Sequence, residues 1–382
     1  MVTSLIFLAI GMFAVGCNTF LIAGLLPLIG ETINQSIAVT GQGITLFSLT
    51  YLLSALLFTV LLANKPIKAI IQFALTLFIL GNLITLLAEN LAIFLIGRML
   101  AGVGAGIFTP LCITLAVHVV KTSAKGRGLG FIWSANSAGV VFGTPIGLYL
   151  SSVFNWQLSM AYIIMLSLIA LIGLALQNAD IKLPNSQLLG NELRLLINKK
   201  TLSVIGISCF TASASLGLFS YITLLQSGSA HSLTMILFSW GLGGFIGSSL
   251  VGIIIDCTQK PQGIMALVLL GLALTILSIP FTKNLPYIGL IPFFMWGVFG
   301  WATTNPQQQI LFELYQRPMS ILAAINTSAF GLGAALGTSL GGLILTSGFK
   351  ESYLPFPAAM LLLAVFICQL TLIKNSNREH CI

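Results

Sequence analysis

The sequence predicts an all-α membrane protein: twelve transmembrane helices in two pseudo-symmetric six-helix bundles. Three observations carry that expectation. Hydrophobic residues make up 57% of the 382 residues and charged residues 6%, with a mean hydropathy of +1.05, whereas a soluble domain carries roughly 25% charged residues. The apolar runs are about 20 residues or longer, enough for a helix to cross a hydrocarbon core about 30 Å thick. Finally, Gly139, Gly143 and Gly147 recur as Gly333, Gly337 and Gly341, an offset of 194 residues and close to half the chain. Small residues at this spacing let helices pack backbone to backbone. Parallel repeats about an axis along the membrane normal are a carrier architecture. The alternating ten-residue segments of an outer-membrane barrel do not occur.

Charge clusters and turn residues cut the chain into spans at 4–29, 40–63, 67–88, 91–117, 127–153 and 157–177, then 201–226, 233–256, 263–282, 285–309, 319–347 and 352–374. Residues 1–177 form the first six-helix bundle, 178–200 a cytoplasmic linker, 201–374 the second bundle and 375–382 a cytoplasmic tail. The linker is the longest polar stretch, with Asp180, Lys182, Glu192, Arg194, Lys199 and Lys200. Met1 to Ile29 reads as the first span, because its start lacks positive charge and its apolar run exceeds that of a signal peptide. Alternate loops and the tail hold 13 of the 16 Lys and Arg; the opposite face holds Lys283 and Lys350, and Arg98 lies within a span. The positive-inside rule then puts both termini in the cytoplasm, in a multi-pass protein of the cytoplasmic (inner) membrane.

The loops are too short for a further domain, so function resides among the helices and any transport is secondary rather than nucleotide-driven. The net charge of +8 sits in short loops and forms no basic stripe, which argues against nucleic acid. Four cysteines, Cys17, Cys112, Cys209 and Cys368, fall in spans, Cys257 in a loop and Cys381 in the tail; they read as small buried hydrophobes. No HExxH, phosphate-binding glycine loop or nucleophile elbow occurs, so neither an enzyme nor a cofactor or metal is expected. The expected partners are a small-molecule substrate and the lipid bilayer.

Several segments carry sharper signals. The loop after span 2 reads Val60-Leu-Leu-Ala-Asn64-Lys65-Pro66-Ile67-Lys68, and that after span 8 reads Gly252-Ile-Ile-Ile-Asp256-Cys-Thr-Gln-Lys260, aligned at an offset of 192. Span 4 carries Gly97-Arg98-Met-Leu-Ala-Gly102-Val-Gly104-Ala-Gly106 and span 5 carries Gly139-Val-Val-Phe-Gly143-Thr-Pro145-Ile-Gly147. Span 10 holds Pro306-Gln-Gln-Gln309 and span 11 Asn326-Thr-Ser328 ahead of its glycines. Together these resemble the major facilitator superfamily over nearly the whole chain. The two loops resemble its Gly-x-x-x-Asp-Arg-x-Gly-Arg loop, with Asn64 and Val60 in place of the first acid and glycine. Span 4 resembles its Arg-x-x-x-Gly-x-Gly element, and span 5 its Gly-x-x-x-Gly-x-Pro-x-Gly antiporter motif, which is associated with exporters. Spans 10 and 11 look like the sugar and drug efflux branch, the arabinose-efflux-permease-like group of twelve-span drug antiporters.

The resemblance implies a monomeric efflux permease for a drug, sugar or metabolite. It would work by alternating access around a site formed mainly by spans 1, 4, 7 and 10, with Lys65 and Asp256 latching helices on the cytoplasmic side. The alternative is an uptake or facilitative exchange permease, or a transporter-like sensor or channel without turnover. Protons are the candidate coupling ion. Yet where relatives of this branch typically show Thr-Glu-Phe in span 1, with a glutamate implied in proton coupling, this chain has Asn18-Thr19-Phe20. No carboxylate lies inside any span of the first half; Glu31 and Glu89 fall at the external rim.

Arg98 is the sharpest single residue. An intramembrane Arg costs at least roughly 2.5–3.5 kcal/mol on insertion scales and marks a functional site by default, and its guanidinium stays charged. An unpaired cation among helices favours an anionic or zwitterionic guest. Asn18, Thr19, Asn136, Tyr221, Gln226, Asn305, Gln307 and Asn326 are the other cavity candidates, with Trp133 and Trp240 beside them. A buried amide needs a partner in lipid, and a hydrogen bond between helices is the alternative reading for each. His118 reads as a loop residue rather than a proton relay. Gly102, Pro145 and the two glycine ladders are packing devices.

Overall fold

The computed structural model describes residues 2–61, 66–121, 124–177, 198–226, 233–286, 288–315 and 320–379. Among them every regular element is helical. Span 1 is Val2–Thr32; a single turn, Ile37–Thr40, precedes span 2, Gln42–Leu61; span 3 is Ile67–Leu86 and span 4 Leu91–Val119. Span 5 runs from Lys125–Ala138 through a π-helical turn, Gly139–Gly143, into Thr144–Val153, and span 6 is Trp156–Ala175. In the second half, span 7 is Lys199–Phe219 followed by the short helix Ile222–Gln226. Span 8 is Leu233–Thr258, span 9 Pro261–Thr282, span 10 Ile291–Ala302 plus Thr304–Leu314, span 11 Ser320–Thr346 and span 12 Pro355–Glu379. Among the described residues nine helices are long and apolar enough to cross a bilayer; spans 5 and 10 are each divided into shorter helices.

Side chains and backbone conformation set the ends. Asn90, Asn155 and Asn198 each cap the helix they precede, their Oδ1 accepting from the N–H of Ile93, Leu158 and Lys200 at 3.0, 2.9 and 3.0 Å; such a cap satisfies one orphan donor of the first turn. Gln259 (φ 54°) stops span 8 and Gly348 (φ 87°) stops span 11 in the left-handed region, where glycine is at home. The structure shortens the linker, since Lys199 and Lys200 already belong to span 7, and carries span 12 into the tail as far as Glu379. Cys257, read as a loop residue, lies in the last turn of span 8, and His118 in the last turn of span 4, its Nδ1 3.3 Å from the Thr114 carbonyl.

Spans 5 and 10 are broken where continuous helices were expected, and proline is the cause in both. Pro145 offers no N–H to the turn before it, and the chain opens into a π-turn in which the Thr144 N–H reaches back to Gly139 O. Pro306 denies the Ala302 carbonyl its usual partner, and span 10 divides at Thr303 beside that carbonyl.

The chain divides into two compact units: Met1–Leu193 with Pro318–Ile325, and Arg194–Arg317 with Asn326–Ile382. Within the first unit, span 4 packs on spans 2 and 3 at backbone distance. A Cβ on Gly102 would fall 2.2 Å from Thr50 Oγ1 and one on Gly104 2.4 Å from Phe78 N. Hydroxyls stitch the same seam, Thr50 Oγ1 donating to Met99 O (3.1 Å) and Ser54 Oγ to Val103 O (3.2 Å). Within the second unit spans 8 and 10 repeat the arrangement: Cβ atoms on Gly243 and Gly297 would meet Phe294 O at 2.0 Å and Trp240 O at 1.8 Å. With no hydrophobic drive between helices in lipid, such close approach is what holds them together.

Candidate functional site

Each unit buries one polar junction between its first and fourth spans. In the first unit Arg98, eighth residue of span 4, is 1% exposed. Its Nη1 donates to Asn18 Oδ1 on span 1 at 3.1 Å, and its Cζ lies 4.5 Å from the centroid of the Phe47 ring on span 2. A desolvated cation–π contact contributes about 2 kcal/mol and a hydrogen bond involving a charged group about 1.5–3 kcal/mol. These two contacts therefore offset the roughly 2.5–3.5 kcal/mol insertion cost without a carboxylate. They do not satisfy every donor: Arg98 Nε and Asn18 Nδ2 are buried and have no hydrogen-bond partner among the described residues.

In the second unit the junction is neutral. Trp296 Nε1 on span 10 donates to Ser215 Oγ on span 7 at 2.8 Å. Ser215 follows Asn18 by 197 residues and Trp296 follows Arg98 by 198, within one helical turn of the 194-residue repeat. Aromatic rings surround it: Phe219 stacks 4.2 Å from Trp240 and meets Trp296 edge-on at 6.1 Å, while Trp240 meets Trp301 edge-on at 5.8 Å. An amide cluster joins spans 7, 10 and 11. Ser208 Oγ donates to Asn326 Oδ1 (2.6 Å), Asn326 Nδ2 donates to Gln308 Oε1 (3.3 Å), and Gln307 Nε2 donates to Val204 O (3.4 Å). Asn305 is fully buried beside them in sequence. Gln307 Oε1 and Gln308 Nε2 remain buried without a partner.

The glycine ladders bind these junctions to their neighbours. On span 5, Cβ atoms at Gly139, Gly143 and Gly147 would lie 2.1 Å from Phe13 O, 2.9 Å from Phe13 Cε1 and 2.6 Å from Leu21 Cδ2, all on span 1. On span 11, Cβ atoms at Gly333, Gly337 and Gly341 would lie 2.0 Å from Cys209 O, 1.9 Å from Ser213 O and 2.4 Å from Tyr221 Cε2, beside span 7. An amide accompanies each ladder, Asn136 Nδ2 donating to Met12 O at 3.2 Å on one side and Asn326 bonding Ser208 on the other.

Some expected site residues stand apart. Thr19 is exposed and its hydroxyl donates to Val15 O on its own helix (2.9 Å), away from the Arg98–Asn18 bond. Pro145 is exposed beside the π-turn. Tyr221 donates to Thr338 O and lines an apolar cavity of about 380 Å³ among spans 7, 11 and 12 rather than the amide cluster. Gln226 closes the short helix after span 7, Asp256 is half-buried near the end of span 8, and Lys65 lies outside the described residues. Sequence reasoning missed Phe47, Ser208, Ser215, Gln308 and the Trp296–Trp301 rings as parts of a site. Pro306-Gln-Gln-Gln309 was a signal for Gln308; for Phe47, one aromatic residue among 37, no signal existed.

These paired junctions, repeated at a near-constant offset, match a known architecture. The family model described as Major Facilitator Superfamily matches residues 8–338. The chain belongs to that superfamily. It is 26% identical over 371 residues, 95% of each chain, to the inner membrane transport protein YdhP of Escherichia coli strain K12. It is 25% identical over 370 residues, 95% of this chain and 93% of the relative, to a Helicobacter pylori (strain P12) protein named "Probable sugar efflux transporter". Among solved structures, the superfamily transporter FucP of E. coli, in the outward conformation, superimposes with a TM-score of 0.78 at 15% identity, over 97% of this chain and 98% of FucP. As a superfamily member the protein is a secondary transporter of a small molecule, with twelve spans in two six-helix bundles.

Proposed function

We propose that the protein is an efflux permease, carrying a small molecule from the cytoplasm across the inner membrane by alternating access. The observation that carries the direction is the span 5 motif: Gly139, Gly143 and Gly147 lie against span 1 and enclose a π-turn ahead of Pro145, the pattern associated with exporters. Such π-turns concentrate at functional sites. The name of the H. pylori relative supports the same direction. Bundles over 1–177 and 201–374, joined by 178–200, would alternate as rigid bodies in a monomer with both termini cytoplasmic. Within the first unit Arg98 and Asn18 are the candidate substrate contacts, and within the second the Gln307, Gln308 and Asn326 amides. The protein is not an enzyme in this reading, and span 1 has Asn18-Thr19-Phe20 where the resemblance implies a glutamate for proton coupling.

Counterflow in proteoliposomes tests the reading. Trapped unlabelled substrate should accelerate entry of labelled substrate, because a carrier returns faster loaded than empty. Tracer entry indifferent to trapped substrate would make the protein a channel or sensor. In cells, deletion should raise internal substrate; a fall would reverse the direction.

A further inference from the structure

Arg98 and Asn18 together hold two buried hydrogen-bond donors that nothing among the described residues accepts from. We infer that they form a binding site for an anionic group, a carboxylate, on the transported molecule. The inference rests on the permease reading and adds the charge of its cargo. Arg98 spends Nη1 on Asn18 Oδ1, while Arg98 Nε and Asn18 Nδ2 are both buried without partners. Both call for an acceptor; a cation satisfies neither and is repelled by the guanidinium. Phe47 covers the guanidinium at 4.5 Å; its donors lie in the plane of the group, the geometry that suits a planar carboxylate.

Two further observations favour a ligand over simple packing. Among the described residues no carboxylate bonds Arg98, and the contacts of its guanidinium are an amide and a ring. The equivalent junction in the second unit achieves the same span-to-span link with the neutral Trp296–Ser215 bond, so the link itself does not require a charge. Gly43 makes the arrangement possible: a Cβ there would sit 3.1 Å from Arg98 Cγ and 2.4 Å from Phe94 Cε1.

The test uses the full chain in nanodiscs, with thermal unfolding read against gluconate, benzoate, chloride and the neutral analogues glucose and benzamide. At least one of the two carboxylates should raise the melting temperature in a saturable way, while its neutral analogue leaves it unchanged. Asn18→Asp places a fixed carboxylate against Arg98; it should abolish that rise while the variant melts no lower than wild type, and Arg98→Lys should retain a weakened rise. Wild type indifferent to both carboxylates, or Asn18→Asp responding like wild type, would overturn the site. Chloride alone producing the full response would overturn it too, leaving an inorganic anion in place of cargo. Counterflow separates the two proposals: Arg98-dependent binding without exchange refutes the permease alone, whereas exchange of glucose or benzamide independent of Arg98 refutes the anion site alone.

Discussion

Replacing Gly337 by alanine tests the helix packing on which the second unit's junction depends. The added methyl would lie 1.9 Å from Ser213 O and 2.9 Å from Gly217 Cα. Ordinary contact begins near 3.4 Å, so spans 7 and 11 must part by about 1.5 Å at this level. The obstacle is a backbone carbonyl, which cannot swing away as a side chain does. Overpacking typically costs about 1–3 kcal/mol, and a rigid obstacle places Gly337→Ala at the upper end, about 3 kcal/mol or more than a hundredfold in the folded-to-unfolded ratio. Gly206, also on span 7, is the control: no heavy atom lies within 4 Å of its Cβ position. Gly206→Ala should gain up to about 1 kcal/mol from helix propensity. Reversible unfolding in mixed micelles reads both. Gly337→Ala within about 0.5 kcal/mol of wild type would refute the close approach of these spans.

Other expectations follow from the same geometry. Asn326→Leu removes partners from Ser208 and Gln308 together; with about 1–3 kcal/mol for each orphaned group, it should destabilise several times more than Tyr221→Phe. That second variant loses one interhelical bond to Thr338 O, worth about 0.6 kcal/mol in a membrane, and the same micelle unfolding ranks the two. If the cargo is a monoanion moved without a proton, an interior-negative potential of about 100 mV should favour its exit by about 2.3 kcal/mol, roughly 50-fold in the steady gradient. Valinomycin-clamped proteoliposomes measure this, and a gradient unchanged by potential would contradict it.

Much of the fold was legible because its causes are local and repeated. Apolar run length exposes the spans, and the 194-residue repeat of the ladders exposes the two halves. The breaks in spans 5 and 10 were less visible, since hydropathy does not register the carbonyl that a proline leaves unpaired. Of the site, Arg98 stood out as a charge in an apolar run and Asn18 by its place before Thr19-Phe20. Phe47 and Ser208 did not, because an aromatic or hydroxyl side chain is unremarkable until a cation or an amide on another span lies against it. Thr19 misled: a hydroxyl in a helix readily bonds the carbonyl four residues back, as it does here with Val15, and polarity alone does not say which way it turns.

Mass spectrometry of small acids inside and outside cells offers the shortest route to the central claim. Cells producing the wild-type chain should release an organic acid to the medium that cells producing Arg98→Gln at equal abundance retain. Accumulation of that acid inside wild-type cells, or release of neutral compounds only and to the same extent by both, would contradict export through a cationic site.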